Sequence, residues 1–284
     1  MLLKQYKHHF FDSLQGIQEE QEIESFFFIL TEYLHNLKRV DVTLNPNFEL
    51  TEADVEKWNA ILAELQQEKP IQYITGEAWF YGLQFEVNEN TLIPRPETEE
   101  LVEWIIESQK LKIQSQKLEI LDIGTGTGCI PISLKSNLPQ ANVSAIDVSE
   151  KALEVAKRNA ASNKVEINFI QTNILEVADL NQNFDIIVSN PPYVRNLEKQ
   201  EIKKNVLDYE PHLALFVEDT DALLFYRKIA QLAQKNLSPN GLLFFEINQY
   251  LGKETVELLE NLGFKNIELR KDFVGNERMI KCEK

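Results

Sequence analysis

The alternation of apolar strands with helical stretches after Leu118 constrains the fold of this chain more than any other feature. Strands are predicted at Leu118–Ile123, Asn142–Asp147, Ile167–Gln171, Phe184–Ser189 and Leu242–Ile247. Helical stretches separate these strands, including one that is capped by Ser149 and one from about Asp221 to Lys235. Because a helix that joins two parallel strands must cross a face of the sheet, this order predicts an α/β fold with a mostly parallel, doubly wound sheet.

The C-terminal residues add a different connection. Asn266–Arg270 and Arg278–Cys282 flank the turn-forming segment Asp272–Asn276. Two short strands joined by such a turn predict an antiparallel hairpin at the end of the sheet.

The residues before Pro70 predict a small helical bundle. Thr51–Asp54 has the form of a capping box, and apolar residues recur after it at helical spacing, at Val55, Trp58, Ile61, Leu62 and Leu65. Aromatic and β-branched residues then dominate from Ile71 to Val87 and predict a β-hairpin. We therefore predict a helical domain over residues 1–70, a β-hairpin linker over 71–91 and the α/β domain over 92–284, with a loop at Gln109–Lys117.

A glycine-rich turn, Gly124-Thr125-Gly126-Thr127-Gly128, follows the first strand of the predicted sheet and leads into a helix. Glycine permits a tight turn and lets a ligand approach the backbone closely. Ligands of open α/β sheets bind outside the carboxyl ends of the strands. The turn therefore predicts a ligand site, with close packing of helix on strand as the alternative reason for the glycines.

Two carboxylates near this turn indicate which ligand it binds. Asp147 ends the second strand, 23 residues after Gly124, where it can accept hydrogen bonds from both hydroxyls of a ribose. Asp122 stands two residues before Gly124 and would repel a pyrophosphate, and the spacing G-x-G-x-G differs from the dinucleotide pattern. S-adenosylmethionine carries a ribose, a sulfonium and an ammonium but no phosphate. We therefore expect a class I methyltransferase pocket for S-adenosylmethionine, with NAD(P) as the competing ligand.

The segment Asn190-Pro191-Pro192-Tyr193 directly follows the strand Phe184–Ser189 and predicts the catalytic centre. The amide oxygen of Asn190 and the carbonyl of Pro191 can accept both N–H bonds of a planar nitrogen, and Tyr193 can pack on the substrate. A plain turn is the alternative, because Asn-Pro and Pro-Pro are ordinary turn signals. The strand before Asn190 is expected beside the first strand, so that both tips open onto one cleft. We therefore predict an amino-methyltransferase with Asn190, Pro191 and Tyr193 as catalytic residues.

Composition excludes several other classes of protein. The formal net charge of −16 argues against direct binding of nucleic acid, whose phosphates attract basic proteins. Cys129 and Cys282 offer neither a disulfide framework nor a metal-binding spacing, and we predict no metal. No apolar run has the length of a membrane span and no signal peptide is visible, so we expect a cytoplasmic protein.

Longer segments carry a resemblance to a known family. They are Pro70–Gly76, Leu92–Glu99, Leu121–Ile130, Asn190–Tyr193, Glu210-Pro211, Leu213–Leu215 and Lys271–Phe273 with Gly275. Through them the chain resembles the bacterial peptide chain release factor N5-glutamine methyltransferases, the HemK/PrmC family. The most specific segment is Ile93–Glu99, because other methyltransferases with the Asn-Pro-Pro-Tyr sequence generally lack it.

The resemblance implies methyl transfer from S-adenosylmethionine to the glutamine of a Gly-Gly-Gln loop in release factors, with S-adenosylhomocysteine as the product. Carried over to matching positions, Gly124 to Gly128, Asp147 and Asn190 bind the donor, and Asn190 to Tyr193 hold the glutamine. The N-terminal helical domain would help to dock the release factor.

Three single positions and one segment depart from the family pattern; the segment is Phe216–Asp221, where the family tends to have Gly-rich residues. Asn173 replaces a usual acidic residue, and Ile174 replaces a frequent aromatic one at the expected adenine contact. Asn248 stands where a glycine is expected. Arg95 and Glu97 allow two interpretations, a structural ion pair at the start of a helix or a role near the donor.

Two rival functions remain open at this point. An adenine-N6 DNA or RNA methyltransferase can use the same Asn-Pro-Pro-Tyr segment on an exocyclic amine, although the acidic balance argues against it. A non-catalytic, donor-binding adaptor of translation factors would have no need of the intact segment Asn190–Tyr193.

Overall fold

The computed structural model of the protein describes residues 1–110 and 117–284. The described helices are α1 (Leu3–Leu14), α2 (Glu20–His35), α3 (Arg39–Leu44), α4 (Glu52–Gln66), α5 (Ile71–Thr75), α6 (Pro96–Lys110), α7 (Cys129–Asn137), α8 (Glu150–Ser162), α9 (Lys204–Tyr209), α10 (His212–Leu215), α11 (Leu224–Asn236) and α12 (Gly252–Asn261). Short 3-10 helices occur at Asn196–Glu201 and Asp219–Asp221.

The strands are β1 (Glu77–Phe80), β2 (Leu83–Glu86), β3 (Glu119–Ile123), β4 (Asn142–Asp147), β5 (Asn168–Gln171), β6 (Phe184–Ser189), β7 (Val194–Arg195), β8 (Phe216–Val217), β9 (Leu237–Glu246), β10 (Lys265–Lys271) and β11 (Glu277–Glu283). The strands predicted for the sheet are all present. A loop was predicted at Gln109–Lys117. Gln109 and Lys110 instead belong to α6, and residues 111–116 lie outside the described residues.

The chain forms two compact units. The first contains Met1–Gly76 together with Lys203–Tyr209, and the second contains Glu77–Ile202 and Glu210–Lys284. Within the first unit, the hydroxyl of Tyr209 donates to the carbonyl of Gln67 at 3.1 Å. This hydrogen bond ties the segment Lys203–Tyr209 directly to the helical unit.

The first unit is a helical bundle around an aromatic core. Thr51 and Asp54 form the predicted capping box at the start of α4, because each side chain accepts a hydrogen bond from the other's backbone N–H. Fully buried Trp58 packs against the rings of Tyr6, Phe10 and Phe27 and donates from Nε1 to His35 at 2.9 Å.

Replacing Trp58 by alanine is expected to lower the free energy of unfolding of this unit by about 3–5 kcal/mol, because the change leaves a large cavity in the core. Urea denaturation followed by circular dichroism measures the loss. Trp79→Ala is the matched control, since Trp79 is 70% exposed and its loss is expected to cost less than about 0.5 kcal/mol. Equal losses in the two variants would contradict this account of the core.

The hairpin predicted over Ile71–Val87 is shorter than expected. Residues Ile71–Thr75 form the helix α5, because Ile71 is buried in the apolar core of the first unit. The hairpin consists of β1 and β2 with a two-residue turn at Tyr81-Gly82. Both turn residues have positive φ, 49° and 75°, which is the geometry that matches the twist of a tight hairpin.

The second unit contains a seven-stranded sheet in the order β10-β11-β9-β6-β3-β4-β5. The pairs from β9 to β5 are parallel, and β11 is antiparallel to both of its neighbours. This confirms the mostly parallel, Rossmann-like sheet with a C-terminal antiparallel hairpin.

Alternate residues of the central strands pack on opposite faces of this sheet. Ile186 and Val188 of β6 join the apolar cluster that includes α6 and α7, whereas Ile187 joins the cluster that includes α11 and α12. Because both faces are covered by helices, the central strands are mostly apolar, although β3 and β4 also contain the buried polar residues Asp122 and Ser144. This packing holds the carboxyl ends of β3, β4 and β6 at one edge.

Candidate active site

A cavity of about 340 Å³ opens at the carboxyl ends of the parallel strands in the second unit. Gly124 and Gly126 after β3, Asp147 at the end of β4 and Asn190 after β6 all line it. β3 pairs in parallel with both β4 and β6, so the three strand ends meet at one point. The predicted meeting of the glycine turn and the Asn190 segment in one cleft is therefore present.

The glycine turn has a backbone that only glycine adopts readily. Gly124, Gly126 and Gly128 have φ of 78°, 54° and 80°. A Cβ atom added at Gly128 would lie 3.0 Å from Cδ1 of Ile132 and 3.2 Å from Cβ of Ala156. Gly128 thus allows α7 and α8 to pack closely, whereas a Cβ at Gly124 or Gly126 would meet no described atom within 4 Å. Close helix packing therefore explains Gly128, whereas Gly124 and Gly126 leave open space beside the cavity.

Asp147 organises the backbone around the cavity. Its Oδ2 accepts from the N–H of Gly126 and its Oδ1 accepts from the N–H of Ser149, both at 2.9 Å. Burial raises the pKa of Asp147, while these backbone hydrogen bonds oppose the rise. Each oxygen can accept a further hydrogen bond, and Asp147 lines the cavity, which suits a vicinal diol such as a ribose.

Asp122 is a fully buried carboxyl group beneath the glycine turn. Neither of its oxygens has a partner with hydrogen-bond geometry among the described residues, although the nearby hydroxyl of Thr125 acts to lower the pKa of Asp122. Burial, with the negative charge of Asp147 in addition, raises the pKa of Asp122 to about 7. A cationic ligand near this carboxyl group would offset the cost of burying its charge, since an opposite charge stabilises the ionised form.

We expect this carboxyl group to make stability depend on pH. The folded-state pKa of Asp122 is raised above its unfolded value, so between about pH 4 and 7 the unfolded chain binds fewer protons and stability falls as pH rises. Asp122→Asn removes this dependence. The variant is expected to gain about 4 kcal/mol over the wild type above pH 7 and little below pH 4, because a difference of one in pKa corresponds to about 1.4 kcal/mol. Urea denaturation of both proteins across this range tests it, and parallel curves would contradict it.

Asn173 and Ile174, which depart from the family pattern, both line the cavity. Asn173 stabilises a local turn, because its Oδ1 accepts from the N–H of Leu175 at 3.1 Å and its Nδ2 donates to Glu176 at 2.9 Å. Ile174 packs on the apolar cluster behind the cavity. This part of the cavity is therefore an apolar wall with one amide at its edge.

Asn190, Pro191 and Pro192 form the cavity wall after β6. Ser189 anchors this strand end, since its buried hydroxyl donates to the carbonyl of Ile123 at 2.6 Å. The Nδ2 of Asn190 donates to Oγ1 of Thr98 at 3.3 Å. The amide nitrogen of Asn190 is thus engaged by α6, and its Oδ1 is left as an acceptor.

Tyr193 is not among the residues that line the cavity. Its ring packs against the cluster that includes α11, and its hydroxyl donates to Oε1 of Glu246 at 3.1 Å. Burial raises the pKa of Glu246, while the hydrogen bond from Thr98 and the positive charge of Arg278 oppose the rise. No role for Glu246 was predicted from the sequence. A signal was present, because Glu246 is an acidic residue at the end of an apolar strand, as Asp147 is.

The other predicted donor-binding residues lie behind the cavity. Thr125, Thr127 and Gly128 are within the glycine turn but do not line the open space. Asn159 of α8, another residue that sequence reasoning missed, donates from Nδ2 to the carbonyl of Thr127 at 3.0 Å. These residues support the turn from beneath.

Arg95 forms an ion pair with Glu210 and not with Glu97. Glu210, which is 4% exposed, also accepts from the N–H of Ile93 at 3.2 Å. The neighbouring residues Leu92 and Pro211 both line the cavity. The predicted ion pair of Arg95 with Glu97 was wrong, because Glu210, which is distant in sequence, is buried beside Arg95. The ion pair of Arg95 with Glu210 joins two sides of the cavity wall.

Within residues 1–110 and 117–284, no group of three or more His, Cys, Asp or Glu side chains is placed to hold a metal ion. None of the helices in these ranges is both long and apolar enough to cross a membrane.

Comparison with known proteins gives consistent matches over the chain. Residues 105–212 match the methyltransferase small domain family, and residues 8–76 match the PrmC N-terminal domain family. The chain is 65% identical to the release factor glutamine methyltransferase of Flavobacterium psychrophilum over 282 residues, which cover 99% of each chain. It is 40% identical to the release factor glutamine methyltransferase of Bacteroides thetaiotaomicron, with 94% of this chain and 95% of the relative covered.

Solved structures share the fold at low identity. The T. thermophilus 16S rRNA N2 G1207 methyltransferase, solved with AdoMet and guanosine, is 19% identical with a TM-score of 0.52, over 73% of this chain and 49% of the other. A methyltransferase from Pyrococcus furiosus is 21% identical with a TM-score of 0.50, over 79% of this chain and 98% of the other. These similarities support the Rossmann-like methyltransferase fold of the second unit.

Proposed function

Because this chain belongs to the release factor glutamine methyltransferase family, we propose that it methylates the side-chain nitrogen N5 of the glutamine in the Gly-Gly-Gln motif of peptide chain release factors. The observation that carries the proposal is that one cavity is lined by both the glycine turn and Asn190–Pro192. This supports a methyl-donor site next to two acceptors for an amide N–H.

The methyl donor is S-adenosylmethionine. When bound, it supplies an electrophilic methyl group on a sulfonium and leaves as S-adenosylhomocysteine. The residues present fit it: Asp147 offers carboxylate oxygens for a ribose, and unpartnered Asp122 favours positive charge nearby. We assign donor contacts to Gly124, Gly126, Asp147, Asn173, Ile174 and Asn190, which line the cavity.

Asn190 and Pro191 activate and orient the substrate amide. Its nitrogen is a weak nucleophile, because the lone pair is delocalised into the carbonyl. Asn190 Oδ1 and the carbonyl of Pro191 accept its two N–H bonds and stabilise the positive charge that develops on nitrogen. They also hold the nitrogen in one direction relative to the donor, which supplies the orientation contribution to the rate. The proton leaves nitrogen after transfer, so the mechanism requires no dedicated general base.

The proposal extends to the first unit and to the compartment. We propose that residues of the helical bundle contribute to docking of the release factor, and exposed apolar side chains on α3, Val40 and Leu44, are candidates for that contact. Because release factors act on ribosomes, a cytoplasmic location follows from the proposal.

Incubation with labelled S-adenosylmethionine and a recombinant release factor tests the function. We expect one methyl group on the Gly-Gly-Gln glutamine, located by peptide mass spectrometry, and no label on a factor in which that glutamine is alanine. Duplex DNA and RNA in parallel reactions test the adenine-N6 alternative. Label on nucleic acid, or on the factor without its glutamine, would overturn the assignment of substrate, and donor binding without any transfer would favour the adaptor.

A further inference from the structure

A hydrogen-bonded chain leads from Asn190 into the protein interior. Asn190 Nδ2 donates to Thr98 Oγ1 at 3.3 Å, and Thr98 Oγ1 donates to Glu246 Oε2 at 2.6 Å. The other carboxylate oxygen, Oε1, accepts from the hydroxyl of Tyr193 at 3.1 Å. Thr98 and Glu246 are 3% and 1% exposed, so water does not compete for these groups.

The direction of every donor in this chain follows from Glu246. Both carboxyl oxygens of Glu246 accept hydrogen bonds here, Oε2 from Thr98 and Oε1 from Tyr193, so Thr98 uses its single proton toward Glu246. The hydroxyl oxygen of Thr98 then has only lone pairs to offer Asn190. Asn190 must therefore turn its NH₂ group to Thr98, which leaves Oδ1 as the free end of the amide.

We propose that Thr98 and Glu246 are positioning residues that fix which end of the Asn190 amide faces the substrate. The inference rests on the proposed function, in which Oδ1 accepts a substrate N–H. An amide rotated by half a turn would present N–H to N–H and repel the substrate. The carboxylate of Glu246 excludes that rotamer without touching the substrate itself.

The surroundings of Glu246 are consistent with an acceptor. Burial raises the pKa of Glu246, and the hydrogen bond from Thr98 and the positive charge of Arg278 on β11 oppose the rise; Arg278 is itself held by Asp272 at 3.2 Å. Glu246 thus receives two hydroxyl donors and a nearby cation, an arrangement suited to a buried carboxylate.

Three substitutions test the direction of the chain. Thr98→Val removes the hydroxyl at nearly constant shape, and Glu246→Gln adds a donor that can satisfy Thr98 from the other side. In the glutamine variant, Thr98 is free to donate to Asn190 Oδ1 and so to stabilise the wrong rotamer. Thr98→Ser keeps the hydroxyl. Thr255→Val is the matched control, because Thr255 is also fully buried in the second unit but its hydroxyl donates to the carbonyl of Leu251, at the start of its own helix.

We expect kcat for release factor methylation to fall about 10- to 100-fold in Thr98→Val and Glu246→Gln, as for residues that orient metal ligands. The dissociation constant for S-adenosylmethionine should change less than about threefold. Thr98→Ser and Thr255→Val should keep kcat near that of the wild type. A role in folding alone would lower the melting temperature and impair donor binding together, so both are measured for each variant.

Wild-type kcat in Thr98→Val or in Glu246→Gln would overturn the inference, as would a Thr98→Ser variant as impaired as Thr98→Val. The wild-type protein in the same assay reports separately on the proposed function. If it methylates the release factor, any failure of the variants to differ concerns the positioning role only.

Discussion

Asn190→Ala is expected to lower kcat for methyl transfer by about 10²–10³-fold, the range for loss of one preorganised group that stabilises charge in a transition state. Alanine removes the Oδ1 acceptor, so the developing positive charge on the substrate nitrogen meets only the carbonyl of Pro191. Single-turnover methylation of a release factor with saturating S-adenosylmethionine measures the effect.

Donor affinity separates this effect from general damage. Asn190 is one of several residues that line the cavity, so calorimetric titration of Asn190→Ala with S-adenosylmethionine should give a dissociation constant within about fivefold of the wild type. Asn261→Ala, at the exposed end of α12, is the matched control and should leave kcat unchanged. A fully active Asn190→Ala variant would refute the mechanism in which this amide holds the glutamine.

Asp147→Ala is expected to raise the dissociation constant for S-adenosylmethionine by about 100-fold or more. The carboxylate holds the N–H groups of Gly126 and Ser149 at 2.9 Å, and we propose that it also accepts the ribose hydroxyls. Hydrogen bonds to charged groups contribute about 1.5–3 kcal/mol each, and about 2.7 kcal/mol corresponds to 100-fold in affinity. Isothermal titration calorimetry gives the dissociation constants directly.

Asp147→Asn should have a smaller effect, about 10-fold, because one acceptor oxygen remains while the charge is lost. Asp12→Ala serves as the control, since Asp12 is exposed on α1 of the first unit. If Asp147→Ala bound the donor as tightly as the wild type does, the ribose contact would be wrong and the turn would have to bind the donor without it.

The positions of the strands were predictable, because strands that are buried on both faces of a parallel sheet are rich in apolar residues. The segment Phe184–Ser189, for example, is apolar except for Asp185 and Ser189, and it forms β6 with the predicted bounds. Local signals also succeeded where a few neighbouring residues decide the structure, as in the capping box of Thr51 and Asp54. Ile71–Thr75 was less predictable, because burial against the helical core outweighs its β-branched composition.

Contacts between residues distant in sequence could not be predicted. Glu210 lies 115 residues from Arg95, and a nearer candidate, Glu97, was available in the same segment. Asn248, placed where the family usually has glycine, donates to the carbonyl of Tyr193 and to Glu198, both at 2.9 Å. Such pairs leave no periodic pattern in a single sequence, since only the packed sheet and helices bring them together.

The sequence by itself determined the α/β fold and the meeting of the glycine turn and the Asn190 segment at one sheet edge, because parallel strands with crossovers leave few alternative arrangements. We propose that these two loops carry the chemistry. Only the tertiary structure decided which end of the Asn190 amide faces the cavity. That choice depends on the donor direction from Thr98 to Glu246, across 148 residues of chain, and on their burial away from water. Hydrogen-bond direction is a property of the assembled site, since it follows from which groups remain unsatisfied once the others are paired.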